Sequence, residues 1–274
     1  MYLKFKDGKS KVLTLSYDDG VVQDIRLIEI MNKYGLKGTF NINSGLYLPE
    51  DKERERFYGR LKLSEAKALY PKHGQEIALH AYSHPFLEKL HTQEMICEII
   101  DDRQSIEKEY GIVTRGMAYP FGTYSNKVID VLKLCGIAYS RTTKSTEKFE
   151  LPQNWLEWHP TCHHNCAKLD ELTDKFTKTQ LPSNRLWLFY LWGHSYEFDN
   201  DNNWERIEEF AKKIGGRDDI WYATNIEIYD YVKAYEKLRM SVDKKIIHNP
   251  TTTDVWVYDG GETFVIKGGE TLYR

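Results

Sequence analysis

The sequence predicts an α/β fold with a mainly parallel sheet, open or closed into a barrel, and two features carry that prediction. Strand-like and helix-like segments alternate from residue 11 to about residue 239, the order expected of βαβ units. The run LWLFYLW at 186–192 is apolar throughout, as a strand buried on both faces should be. A length of 274 residues suits one α/β barrel unit. One main domain is therefore expected over 1–240, with a small β appendage packed on it over 241–274.

The elements follow in order. KVLTLSY at 11–17 alternates apolar and polar residues and includes β-branched ones, so it reads as a strand that Asp18-Asp19-Gly20 ends. Residues 21–34 place Ile25, Ile28, Ile30 and Met31 at roughly helical spacing, and Gly35 supplies a stop. A strand over 38–43 precedes a charged stretch, a helix from 64 to about 70 with Ser64 as its N-cap, and a strand over 76–80. The pattern continues with helices over 92–110, 125–134, 204–214 and 225–239, and strands over 116–119, 138–142 and 221–224. In the tail, two alternating segments meet at Asp259-Gly260-Gly261, a hairpin signal. This hairpin is expected to cover a sheet edge or a barrel end, while Trp256 and Tyr258 leave a carbohydrate-binding role open.

Composition narrows the function classes. Hydrophobic residues at 41% and charged residues at 29% are a globular balance, and a net charge of −3 lacks the basic footprint that nucleic-acid binding needs. The start of the chain has no signal-peptide pattern, and no apolar run is long enough to span a membrane. Cys97, Cys135, Cys162 and Cys166 form no dense framework, so reduced thiols and a cytoplasmic setting are expected. Oligomeric state is not readable.

Candidate chemistry sits where strands should end. Gly20 permits the sharp exit that splays Asp18 and Asp19 around one cleft, although Asp-Asp-Gly is also ordinary turn chemistry. His80 and His84 would lie about 13 Å apart on an unbroken strand, too far to share a metal, so a turn between them is required. Two unrelated histidines are the other reading. Together with one carboxylate they make a set that leaves metal positions open to water and substrate. The segment Cys162-His163-His164-Asn165-Cys166 matches no common zinc-finger spacing and is expected to be a loop beside the pocket. Arg115 leads a short apolar strand into Tyr119-Pro120, and His194 follows the apolar run.

Taken together, these segments resemble the polysaccharide deacetylase family, the carbohydrate esterases with a NodB-homology domain. Residues 16–20 (SYDDG), 80–84 (HAYSH), 115–120 (RGMAYP) and 191–194 (LWGH) are similar to four of its motifs, the last one residue longer than the usual form. The resemblance covers roughly 10–235 and implies a deformed barrel of parallel strands and helices. It implies one divalent metal on Asp19, His80 and His84, most often zinc, with cobalt, nickel, manganese or iron as alternatives. It implies Asp18 as base, Arg115 holding Asp18, the Tyr119 backbone N–H at the oxyanion, and His194 as acid. Pro120, Trp158, His163 and Trp192 are expected to face the substrate, an acetylated carbohydrate losing N- or O-acetyl groups. Two departures stand out: only Glu157-Trp158 offers itself for the motif that tunes His194, and Asn41 stands where a hydrophobic residue is usual. The same ligands also suit a non-haem iron oxygenase, and a non-catalytic glycan-binding relative would keep the cleft.

Overall fold

The computed structural model describes residues 1–54 and 59–274. A two-residue strand, β1 (Tyr2–Leu3), precedes the main sheet. That sheet consists of β2 (Lys11–Asp18), β3 (Gly38–Ile42), β4 (Glu76–Leu79), β5 (Gly116–Ala118), β6 (Tyr139–Arg141), β7 (Cys162–His163), β8 (Trp187–Gly193) and β9 (Ile220–Tyr222). Helices α1 (Asp24–Lys33), α2 (Leu63–Leu69), α3 (Thr92–Tyr110), α4 (Asn126–Leu134), α5 (Leu169–Lys178), α6 (Glu197–Asn200), α7 (Trp204–Ile214) and α8 (Asn225–Glu236) lie between and after the strands.

Strand order is β6-β5-β4-β3-β2-β8-β7, and every pairing in this sheet is parallel. β9 pairs with Lys11–Leu13 of β2, whereas β3 pairs with Leu15–Asp18, so two strands divide the length of β2. Residues 158–163 close the curl: Thr142 N–H donates to the carbonyl of Trp158, and Thr161 N–H donates to that of Tyr190 in β8. The result is a deformed β/α barrel. Its strands all end on one mouth, where α/β folds place their chemistry.

β2 shows why the barrel tolerates polar residues inside. All eight of its residues are buried, although the sequence alternates apolar and polar. The polar ones have partners: Thr14 Oγ1 donates to Asn225 Oδ1 at 2.8 Å, and Ser16 Oγ accepts from Asn41 Nδ2 at 2.8 Å. Buried polar groups matched this way cost little.

Two expectations are corrected. Ser64 is not the N-cap of α2; the Glu65 carboxylate reaches back to the Lys62 N–H at 2.8 Å, while Ser64 bonds to Glu50. The segment around Cys162 is not simply a loop, because Cys162–His163 forms β7. Between β7 and β8 lies α5, which buries Leu169, Leu172, Thr173 and Phe176 at helical spacing.

Beyond α8, β10 (Arg239–Met240), β11 (Ile246–His248), β12 (Val255–Asp259), β13 (Glu262–Ile266) and β14 (Thr271–Tyr273) form two small antiparallel sheets. β12 and β13 form a hairpin, and β1 adds to it through Tyr2↔Tyr258 and Leu3↔Val257. The first residues of the chain thus join its last ones. Leu3, Phe5, Val255, Val257 and Ile266 share an apolar cluster with Val12, Trp158, Leu188 and Tyr190.

Candidate active site

Asp18 lies at the end of β2 and is nearly inaccessible, yet it is ringed by polar groups. Its Oδ1 accepts from Asn41 Nδ2 at 2.9 Å, and its Oδ2 is paired with the buried Arg141 guanidinium. His80 Nε2 and His194 Nε2 each lie 3.8 Å from Oδ2. Burial opposes the carboxylate charge, but Arg141, His80 and His194 outweigh it and hold the carboxyl below its usual range. Asn41 is polar because it orients Asp18, which explains its departure from the family pattern.

Asp19 takes φ 85°, followed by Gly20 at 64°. That reversal turns the Asp19 side chain back toward the mouth, where Asp tolerates a left-handed backbone better than most residues. The chain also bends between the two histidines, with Ala81 at φ 61° and His84 at 59°. Asn43 Nδ2 donates to the carbonyls of His80 and Ala81. From α3, Asp102 accepts the His80 N–H at 3.1 Å and Glu98 accepts the Ser83 N–H at 2.8 Å. The two rings consequently meet edge to face, 4.7 Å apart.

The donor set suits a metal. One ligand atom each from Asp19, His80 and His84 lies within 4.8 Å of the others. His80 Nδ1 bonds to the Ala118 carbonyl at 2.9 Å, leaving Nε2 toward the mouth, an outer-shell arrangement typical of ligating histidines. Burial pushes His80 down to about 4 and lowers His84 as well, so both rings are neutral, the form that ligates. Arg60 Nη2 lies 3.1 Å from Asp19 Oδ1 and holds it from the outside.

Several expected roles change on inspection. Arg115 does not touch Asp18; it precedes β5 and pairs with Asp230 of α8 at 2.7 Å. Arg141, at the far end of the neighbouring strand β6, takes its place and lies 4.5 Å over the Trp192 ring. The Tyr119 N–H is already bonded to the Arg141 carbonyl at 3.0 Å, so it is not a free oxyanion donor. Its hydroxyl donates to the Leu156 carbonyl at 2.8 Å. Trp158 is fully buried among Tyr139, Trp155 and Tyr190 and cannot face a substrate. Pro120 and Trp192 are buried too, whereas His163 is partly exposed. Phe121, half-exposed, stacks on Phe86 at 3.8 Å and meets His84 edge-on at 4.4 Å.

His194 has a different tuner from the one expected. Glu157 bonds to Tyr124 and Asn154 instead. Glu197, three residues on in α6, accepts the His194 N–H at 3.1 Å and brings Oε1 to 3.4 Å from His194 Nδ1. Burial lowers His194, but the Glu197 contact together with Asp18 and Asp19 raises it overall. Burial likewise opposes the Glu197 charge, yet His163, His164 and His194 hold its carboxyl well below the ordinary range. The sequence signal was the i, i+3 spacing of His194 and Glu197 just past a strand.

Residues 5–140 match the sequence profile of the Polysaccharide deacetylase family. No curated protein matches the chain. Among solved structures, the Streptococcus pyogenes deacetylase PplD in complex with acetate is 21% identical with a TM-score of 0.47, over 53% of this chain and 61% of that one, so the match spans less than two thirds of PplD. A Mycobacterium smegmatis protein assigned as a polysaccharide deacetylase is 16% identical with a TM-score of 0.62, covering 86% and 95% of the two chains. A CE4 family pseudoenzyme from Bacillus anthracis is 15% identical with a TM-score of 0.50, covering 84% and 68%. By the profile match, residues 5–140 of the chain belong to the polysaccharide deacetylase family.

Proposed function

We propose that this chain hydrolyses acetyl groups from a carbohydrate at the mouth that gathers Asp18, Asp19, His80, His84 and His194. The observation that supports this most is a buried carboxylate and an imidazole 3.8 Å apart, directly beside a two-histidine, one-carboxylate donor set. Asp19, His80 and His84 would hold one divalent cation, most readily zinc, whose Lewis acidity polarises an acyl carbonyl and acidifies a water.

The chain's own residues handle the protons. Asp18 Oδ2 takes the proton from the attacking water, because Arg141 and Asn41 occupy only part of the carboxylate's accepting capacity. The water oxygen bonds to the acyl carbon. As the C–N or C–O bond breaks, His194 Nε2 delivers a proton to the departing amine or alcohol, and acetate remains. Arg141 keeps Asp18 ionised and fixed. Glu197 accepts the His194 backbone N–H, and its carboxylate 3.4 Å from Nδ1 favours the protonated ring that an acid needs. Phe121 and Phe86 offer an apolar ring surface beside His84 against which a sugar face can pack.

The test is acetate release from a panel of acetylated glycans by chelator-stripped and zinc-restored protein, with metal content measured alongside. Activity should vanish on stripping and return with metal, and His80→Ala should lose both metal and activity. A metal-free yet fully active His80→Ala protein contradicts the scheme. Oxygen-dependent turnover without acetate would favour the iron oxygenase reading. Glycan binding by metal-loaded protein without acetate release would favour a non-catalytic relative.

A further inference from the structure

We propose that His163, His164 and Glu197 form a second divalent-cation site, built beside the first and sharing Glu197 with His194. Each residue offers one ligand atom, and the three atoms lie within 4.8 Å of one another. Both imidazoles converge on a single oxygen: His163 Nε2 is 3.0 Å and His164 Nε2 3.1 Å from Glu197 Oε2. Two histidines and a carboxylate with open positions form a set suited to zinc and similar ions.

A second, independent observation points to a ligand here. His164 is fully buried, and neither of its ring nitrogens makes a hydrogen bond. Nε2 is close to Glu197 but lacks hydrogen-bond alignment. A buried polar group left this way is costly and uncommon in a folded protein. A cation between the rings and the carboxylate gives His164 Nε2 the partner it lacks.

The surrounding chain holds this cluster in place. His164 N–H donates to the Trp192 carbonyl at 2.8 Å, and Arg206 Nε donates to the His164 carbonyl at 2.6 Å. Phe198 stacks on the His164 ring at 4.2 Å, and the Trp192 ring meets His163 edge-on at 4.5 Å. Gly193 is required by this arrangement: a Cβ at that position would stand 2.0 Å from His164 Nδ1. Gly193 in the LWGH segment therefore makes room for the His164 ring. Glu197 Oε2 faces the histidine pair and also accepts the His194 N–H, while Oε1 lies 3.4 Å from His194 Nδ1. A cation bound there would fix Glu197 and, through it, the orientation of His194.

The experiment is a zinc titration of the stripped full-length chain by calorimetry, with bound metal counted by elemental analysis after desalting. Wild type should bind two zinc ions per chain, His84→Ala one, His163→Gln one, and the double variant none. His163 and His84 are both partly exposed, which limits the folding cost of either change. A wild-type stoichiometry of one that falls to zero in His84→Ala overturns the second site while leaving the first intact. Two ions retained in His163→Gln also overturns it, since the second ion then lies elsewhere. Should His163→Gln not fold, the wild-type and His84→Ala counts decide the question. Two ions retained in His84→Ala would instead count against the first site.

Discussion

Arg141 and Arg115 flank neighbouring strands of one sheet and are used in opposite ways. Arg141 ends β6 at the mouth, is fully buried, and pairs with a carboxylate that is itself almost inaccessible. Arg115 precedes β5 at the opposite end of the strands and pairs with Asp230, where both side chains are substantially exposed. At the mouth the Arg141 charge is buried and matched by a buried partner; at the other end of the neighbouring strand the Arg115 charge is left largely to water. A buried pair contributes little net stability but is costly to break, whereas an exposed pair is nearly neutral either way. The mouth therefore keeps its polar groups for chemistry and position, and the contrast can be tested directly.

The largest effect should come from Asp18→Asn, which removes the proposed proton acceptor without changing shape: turnover should fall by roughly 10²–10⁴-fold in an acetate-release assay. Next, Arg141→Met should destabilise the fold by about 3–5 kcal/mol in urea unfolding, because Asp18 is left as an uncompensated buried charge. Arg115→Ala should cost no more than about 1 kcal/mol in the same assay. Equal losses for the two arginines would erase the distinction. Glu197→Gln should lower turnover by about 10–100-fold, as outer-shell partners of catalytic histidines do, with little change in melting temperature.

The smallest effect concerns Glu76, away from the mouth, where Tyr139, Thr39 and the Ile226 N–H bond to a buried carboxyl. Burial raises Glu76 from 4.5 to about 6. Because the folded value is the higher one, its stabilising share is complete below pH 4.5 and is lost as pH rises through 6. Ionised Glu76 then costs about 2 kcal/mol. Relative to wild type, Glu76→Gln should gain about that much between pH 4 and pH 8, measured from urea midpoints. A gap independent of pH would show that Glu76 carries no such shift.

Much of this was legible in the sequence where local pattern decides the outcome. The long helix over 92–110, the apolar strand β8 and the turn chemistry of Asp18-Asp19-Gly20 announce themselves through periodicity and glycine. The pairing of Arg141 with Asp18 does not, since the two are brought together only by a sheet spanning more than a hundred residues of chain. Arg115 looked right by motif, but its place ahead of β5 takes its side chain away from the mouth. Trp158 read as a pocket aromatic for a similar reason, because closure of the barrel over 158–163 was invisible until the strands were placed. Glu197 was detectable in principle three residues after His194, yet the resemblance directed attention to Glu157. No helix of the structure, among the described residues, is long and apolar enough to cross a membrane.

The central claim is that Asp18 moves the proton while Asp19, His80 and His84 hold the metal, and one sample tests it. Purified Asp18→Asn should carry the same metal content as wild type and release acetate from an acetylated glycan at least about a hundredfold more slowly. Acetate release at the wild-type rate with the metal in place would contradict the account.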